Sequence, residues 1–427
     1  MRIYEVNTAL LRQPLEDVDW SFVPDVDAVW LMGVWERSPA GLAIARSDDG
    51  LMAGMRSALP DLREEDVIGS PYCVRDYAVD PRFGSLPAAR EALAARGLKL
   101  ILDYVPNHVA PDHPWVPEHG IHGTEEDLER DPASWLRAGD AIVARGRDPY
   151  FPAWPDVVQL DAFSPALRAA VRELLAGLAE HCDGVRCDMA MLMTNVVFSR
   201  TWNRTPPATE FWPDVMNDRL VFIAEAYWDM EYALQQQGFD YCYDKRLYDR
   251  LAHEDAASVR GHLQADAAYQ AKLLRFIENH DEPRAAPTFG ERARAAAVVM
   301  ATVPGGKLYH HGQFDGLRTH VPVFLARGPV EEPDPRLRQF YSRLVGLEVS
   351  DWRLLDVLDH DDLVAWAFTD HLVVVNLGPT DAWGRVQVEV DGELTDLLTG
   401  AVYERSGPEL QVGLRPWDAH VFSQSSS

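Results

Sequence analysis

Along the chain, continuous apolar runs alternate with segments in which apolar residues recur every three or four positions. The runs at residues 3–10, 26–34, 98–105, 184–190, 220–226, 239–243, 273–278 and 307–311 are rich in β-branched and aromatic residues. They lack the in-and-out alternation of a half-exposed strand, so they read as strands covered on both faces. Between them the pattern predicts helices over 87–96, 165–181, 230–237 and 291–303, with another over 335–347 after the last strand. Pro87, Pro165 and Pro335 stand where a first-turn proline fits, and Gly97 stands where a helix ends. Eight strands interleaved with helices predict an α/β chain built on a (β/α)8 TIM barrel rather than an open sheet.

Two regions break the alternation. Residues 110–161, with HPWVPEHGIHG and GRDPYFPAWPD, are too long and too rich in Pro, His, Trp and Asp for a simple connection. Long irregular connections are usually functional, so this segment is expected to form a small inserted loop domain over the barrel mouth. After about residue 350 short strands are predicted at 363–369, 371–377, 385–390 and 411–414. The expected organisation is therefore a catalytic barrel over 1–349, carrying the 110–161 insertion, and a C-terminal β-sandwich over 350–427. The terminal Ser423–Ser427 is expected to fray.

Composition narrows the partners. The 427 residues are 47% hydrophobic and 25% charged, an ordinary globular balance. A formal charge of -27 argues against nucleic acid and anionic membranes, which would repel it, and suits a neutral substrate. No apolar run is long enough to span a bilayer, and the N-terminal MRIYEVNTALL lacks a signal-peptide pattern. Four cysteines do not make a disulfide framework, which leads us to expect reduced thiols and a cytoplasmic protein. Oligomeric state is not legible.

In a TIM barrel the chemistry lies at the C-terminal strand ends. The third strand ends in Asp103-Tyr104-Val105-Pro106-Asn107-His108 and the fourth in Arg186-Cys187-Asp188. The fifth ends in Ala224-Glu225-Ala226 and the seventh in Glu278-Asn279-His280-Asp281. Any one of these could be a salt bridge or a strand-end cap; their joint convergence on one rim points to a site. In this order the motifs resemble the four conserved regions of the α-amylase superfamily, glycoside hydrolase family 13. Gly69-Ser70-Pro71-Tyr72 through Asp76-Tyr77 resembles that family's loop with a stacking tyrosine, and Gly312-Gln313 its eighth-strand turn.

The residue types suit that chemistry. Retaining cleavage of a glycosidic bond needs a carboxylate nucleophile and a second carboxyl group acting first as acid, then as base. Asp188 is the expected nucleophile, with Arg186 two residues earlier on the same strand face to keep it ionised. Glu225, set among Val221, Phe222, Ile223, Ala224 and Ala226, is the expected acid/base, since apolar surroundings favour its neutral form. The resemblance implies that Asp281 grips sugar hydroxyls, that His108 and His280 donate to the same sugar and that Tyr72 stacks on it. Asp281-Glu282-Pro283-Arg284 resembles the pattern of disaccharide- and oligosaccharide-active members, and Arg284 is expected to contact substrate.

Asp103 reads as support for Arg186. Asn107 resembles a calcium ligand of many relatives, but Gln159 stands where a ligating Asp often falls. A neutral amide weakens such a site, so no metal is expected to be required.

Other features limit the substrate. Met189-Ala190-Met191-Leu192-Met193 replaces the Lys-His pair of many α-amylases, and Gly69, Ser70 and Pro71 offer no Asp before Tyr72 as in small exo-acting α-glucosidases. Arg318 reads as a sugar contact or a solvated loop charge. Trp115, Trp135, Tyr150, Phe151 and Trp154 read as sugar-stacking walls or as the insertion's own core. Expected substrates are malto-oligosaccharides or small α-glucosides, hydrolysed or transferred to an acceptor. Two other readings compete: a non-catalytic binding barrel, which would have lost Asp188 or Glu225, and a thiol or metal enzyme on Cys182 and Cys187, whose spacing fits neither C-x-x-C nor a zinc pattern.

Overall fold

The protein is described by a computed structural model covering residues 1–424. Eight strands form the barrel: β1 (Arg2–Asn7), β2 (Ala28–Met32), β3 (Lys99–Tyr104), β4 (Gly184–Cys187), β5 (Val221–Ala224), β6 (Tyr241–Tyr243), β7 (Leu273–Arg275) and β8 (Gly306–His310). They pair in chain order, all parallel, and β8 closes on β1. Each falls within, or at most one residue outside, a predicted apolar run. The register places Arg186 of β4 beside Asp103 of β3 and Ile223 of β5. Because side chains alternate along a strand, Arg186 and Asp188 share the interior face, while Val185 and Cys187 face the helical layer.

The predicted connecting helices begin within two residues of the expected positions and end earlier. The helix Pro165–Leu178 starts with the Ser164 hydroxyl accepting from the Leu167 amide and with Pro165 in its first turn. It stops at Leu178 because the chain must turn into β4. There Asp183 locks onto β3: its carboxylate accepts from the Leu100 amide at 2.8 Å, and its own amide donates to the Leu100 carbonyl. Helices at Pro39–Ser47, Asn195–Trp202 and Lys245–His253 went unpredicted.

The insertion after β3 holds two short helices, Val116–His119 and Glu125–Arg130, and a hairpin pairing Trp135–Ala138 with Ala141–Ala144. It is tied to the barrel rim where His108–Val109 pairs with Val158–Gln159.

The C-terminal domain is all β, a six-stranded and a three-stranded sheet around Leu363, Leu372, Val374, Val386, Val412 and Phe422. The strand predicted at 385–390 is two strands, Ala382–Val386 and Val390–Asp396. Ser423 and Gln424 belong to the last strand, Ala419–Gln424, rather than to a frayed tail; 425–427 lie outside the described residues. The barrel helix Ala293–Thr302 is apolar on nearly every face because this domain covers its outer side, with the Trp366 indole donating to the Thr302 hydroxyl at 3.2 Å.

Candidate active site

The strand ends converge on Arg186, which is completely buried. Its guanidinium carbon lies 5.3 Å from the centres of the Trp30 and Tyr72 rings and 5.7 Å from that of Tyr243, so aromatic faces clamp the cation. Nη1 donates to Asp188 at 2.6 Å. Nη2 lies 2.9 Å from Glu225 Oε2 and 3.7 Å from Asp281, yet makes no aligned hydrogen bond among the described residues. Asp188 thus receives a directed, charge-assisted bond and Glu225 only proximity of charge. Asp103 stands 4.0 Å from Nη1 and spends its other oxygen on the Gly33 amide at 2.7 Å, so it braces the turn after β2 at least as much as it supports Arg186.

This asymmetry sets the two carboxyl groups apart. Burial pushes both up, and for Glu225 the value reaches about 7 despite Arg186. For Asp188, burial is the larger effect, but Arg186 opposes it through its charge and also through the aligned bond, which favours the ionised form. Glu225 Oε2 accepts from the Met189 amide at 2.6 Å and Oε1 from the Tyr227 hydroxyl at 3.0 Å. Met189 aims that amide by adopting a left-handed backbone, φ 42°, unusual for a residue with a side chain. Asp281 is the opposite case: its side chain opens into a cavity, and although the enclosed setting would raise it, His280 and Arg186 hold it down at about 2.

His280 donates from Nδ1 to Glu5 at 2.5 Å, and its Nε2 lies 3.0 Å from Asp281 and 2.6 Å from the Tyr72 hydroxyl. The Tyr72 ring stacks on the His280 ring with centres 5.4 Å apart. His108 is neutral, burial pushing it down to about 3, and it lies against Trp154. Asp188, Glu225, Asp281, Tyr72 and His108 all line one cavity of about 790 Å³. Phe151, Trp154 and Asp156 of the insertion, and Met189, Trp228 and Lys245, also line it.

Several expectations are revised. Arg284 does not line this cavity: it is buried and donates to Glu278 at 2.6 Å and to the His311 carbonyl at 2.8 Å, tying the end of β7 to β8. Arg318 is exposed and also outside the cavity. Of the insertion aromatics, Phe151 and Trp154 line the cavity and Tyr150 packs edge-on to Trp228. Trp115 packs between His113 and His119, and Trp135 covers Gly123, so these two are the insertion's own core. Met191 and Met193 are fully buried packing; only Met189 reaches the cavity. All four cysteines are buried and unpaired, and burial pushes Cys182 up to about 12, away from thiolate chemistry.

The calcium position is filled from within. Gln159 Nε2 donates to Asn107 Oδ1 at 2.8 Å, to the Asn107 carbonyl at 3.0 Å and to the Leu160 carbonyl at 3.1 Å. The Gln159 amide thus occupies the Asn107 side-chain oxygen that a calcium ion would need and supplies no carboxylate of its own, so the residues present do not fit the metal. Among the described residues no group of three or more His, Cys, Asp or Glu could hold a metal.

A buried arginine facing Asp188, Glu225 and Asp281 at the mouth of a parallel eight-stranded barrel defines a carboxylate-based site on a TIM-barrel scaffold. Comparison with known proteins gives the closer likeness. The chain is 27% identical over 336 residues to α-amylase MalA of Haloarcula japonica, covering 73% of this chain and 47% of that protein. It is 21% identical over 295 residues to α-amylase 3 of Dictyoglomus thermophilum, covering 62% and 57%. The chain thus spans about half the length of these curated relatives. The α-amylase of H. orenii superposes with a TM-score of 0.71 at 17% identity over 99% of both chains, a likeness of fold. No protein-family model matches the chain. The likeness to the α-amylase superfamily seen in the motifs therefore extends to a long stretch of sequence and to the fold.

Proposed function

We propose that the protein is a retaining α-glycosidase acting on α-glucosidic bonds of malto-oligosaccharides or small α-glucosides. The observation that carries this reading is the split of Asp188 and Glu225 around Arg186: one carboxylate is held by an aligned 2.6 Å bond, while the other carboxyl is pushed up to about 7. In the first half-reaction Asp188 attacks the anomeric carbon while Glu225 gives its proton to the departing oxygen. This leaves a glycosyl ester on Asp188 and a carboxylate on Glu225. In the second, Glu225 takes a proton from water, whose oxygen displaces Asp188 with a second inversion, so the configuration is retained overall. Asp281, ionised, and the neutral His108 bind hydroxyls of the same sugar, and Tyr72 covers its apolar face.

Transfer to a sugar acceptor uses the same groups. The apolar side chains of Met189 and Trp228 on the cavity wall favour a bound acceptor over bulk water there. The Gln159–Asn107 lock supports catalysis without calcium. Four buried, unpaired thiols support a reducing, cytoplasmic setting. No helix of the described residues is long and apolar enough to cross a membrane.

The test is incubation with maltose, maltoheptaose, trehalose, sucrose and isomaltose, with products followed by proton NMR. Turnover of at least one substrate with first release of the α-anomer is expected. A β-anomer, or no turnover of any α-glucoside, would overturn the reading.

A further inference from the structure

A charged residue in the middle of an apolar barrel strand is costly unless something needs it there. Glu5 of β1 is such a residue, fully buried. Its Oε1 accepts from His280 Nδ1 at 2.5 Å and lies 3.3 Å from the His280 amide; its Oε2 has no hydrogen-bond partner among the described residues. On the other side of the ring, Nε2 faces Asp281 Oδ2 at 3.0 Å and the Tyr72 oxygen at 2.6 Å. The ring is thus sandwiched between two carboxylates, one at each nitrogen. A neutral imidazole would turn a lone pair toward one of them. We propose that Glu5 is a positioning residue that makes both nitrogens of His280 donors, and through them orients Asp281 and Tyr72 toward the sugar.

The consequences are specific. With Nε2 donating, the Tyr72 oxygen accepts, and its own hydrogen is free to turn into the cavity. Asp281 keeps one oxygen ion-paired with the His280 ring at 3.0 Å and presents the other. Other titratable groups face this unit: His310 and Tyr243 beside Glu5, Asp103 and Arg186 beside His280 and Asp281, and Asp188, Glu225 and His320 beside Asp281. Burial alone would pull His280 down, yet Asp281 and Glu5 hold it well above its ordinary value.

This inference rests on the proposed glycosidase reading only in its kinetic arm. In the free protein, the His280 ring is followed by 15N–1H NMR against pH, its signals assigned by their loss in His280→Asn. It is expected to titrate well above the ordinary histidine range in the wild type and at distinctly lower pH in Glu5→Gln, where Asp281 alone still favours the cation. A wild-type ring that titrates with an ordinary midpoint overturns the proposal without any variant. With a turned-over α-glucoside, Glu5→Gln should lower kcat/KM about 10- to 100-fold, as loss of a supporting hydrogen-bond partner commonly does. It should add no further loss on a His280→Asn background. Independent, multiplying losses would overturn it. If no α-glucoside is turned over but the two titrations differ as stated, the glycosidase reading fails and the Glu5–His280 coupling stands.

Discussion

Two fully buried arginines sit in this barrel, Arg186 on β4 and Arg275 on β7, and their surroundings differ in kind. Arg275 forms a closed set. It is ion-paired to Asp244, donates to Gln270 at 3.2 Å and to the Pro304 carbonyl at 3.0 Å, and Asp244 also bonds His262 at 2.9 Å. Burial pushes His262 down to about 4, which leaves one cation matched to one anion. Arg186 instead faces Asp188, Glu225, Asp281 and Asp103, keeps Nη2 without an aligned bond, and adjoins a cavity. A saturated, charge-balanced cluster holds a fold together. One with surplus carboxylates and an unspent donor keeps protons and bonds available for a substrate.

That contrast can be broken by experiment, and the largest effect belongs at the open cluster. Asp188→Ala should lower kcat by roughly 10⁴-fold or more, as removal of a nucleophile does, while the melting temperature stays near the wild-type value. Glu225→Gln should cost about 10²- to 10⁴-fold with the fold intact. Urea titration of either variant showing collapse would make the open cluster structural instead. At the closed cluster the order reverses: Arg275→Leu should lose about 3–5 kcal/mol of stability by leaving the buried Asp244 without its cation, with only the neutral His262 beside it. A stable, fully folded Arg275→Leu protein would contradict the distinction.

The same contrast appears in pH dependence. Glu225 must be protonated to act, and its value is about 7, so kcat/KM should fall about tenfold per pH unit above pH 7. The stability sign is the same. A carboxyl raised from its ordinary 4.5 takes up a proton on folding, so its stabilising contribution is lost as pH rises through about 7. Glu225→Gln should flatten that part of the stability profile. A smaller effect tests the amide lock. Gln159→Ala should cost about 1–3 kcal/mol by leaving buried oxygens unsatisfied, and exhaustive chelation should leave the wild-type melting curve and activity unchanged. Chelator-sensitive activity restored by calcium would contradict this.

How much of this was legible depended on the kind of signal. The barrel strands were readable because buried parallel strands are uninterrupted apolar runs such as AVWLM in β2. The C-terminal strands Val390–Asp396 and Val402–Gly407 were not, since VDGELTD and VYERSG form an exposed hairpin with few apolar positions to mark it. In the site, strand-end carboxylates were visible because a TIM barrel says where to look. Glu5 was missed although a charge inside RIYEVN was itself a signal. Arg284 was misassigned because its motif gave its neighbours but not the direction of its side chain. Tyr227 and the left-handed Met189 could not be foreseen, since their roles depend on backbone angles and contacts between strands.

The central claim is that the directed Arg186 bond makes Asp188, and not Glu225, the group that becomes covalently glycosylated. It is tested most directly by trapping the intermediate with 5-fluoro-α-D-glucosyl fluoride and locating the label by peptide mass spectrometry. A single glycosyl adduct on Asp188, absent from Asp188→Ala, is expected. An adduct on Glu225 or Asp281, or turnover with inversion and no adduct, would contradict it.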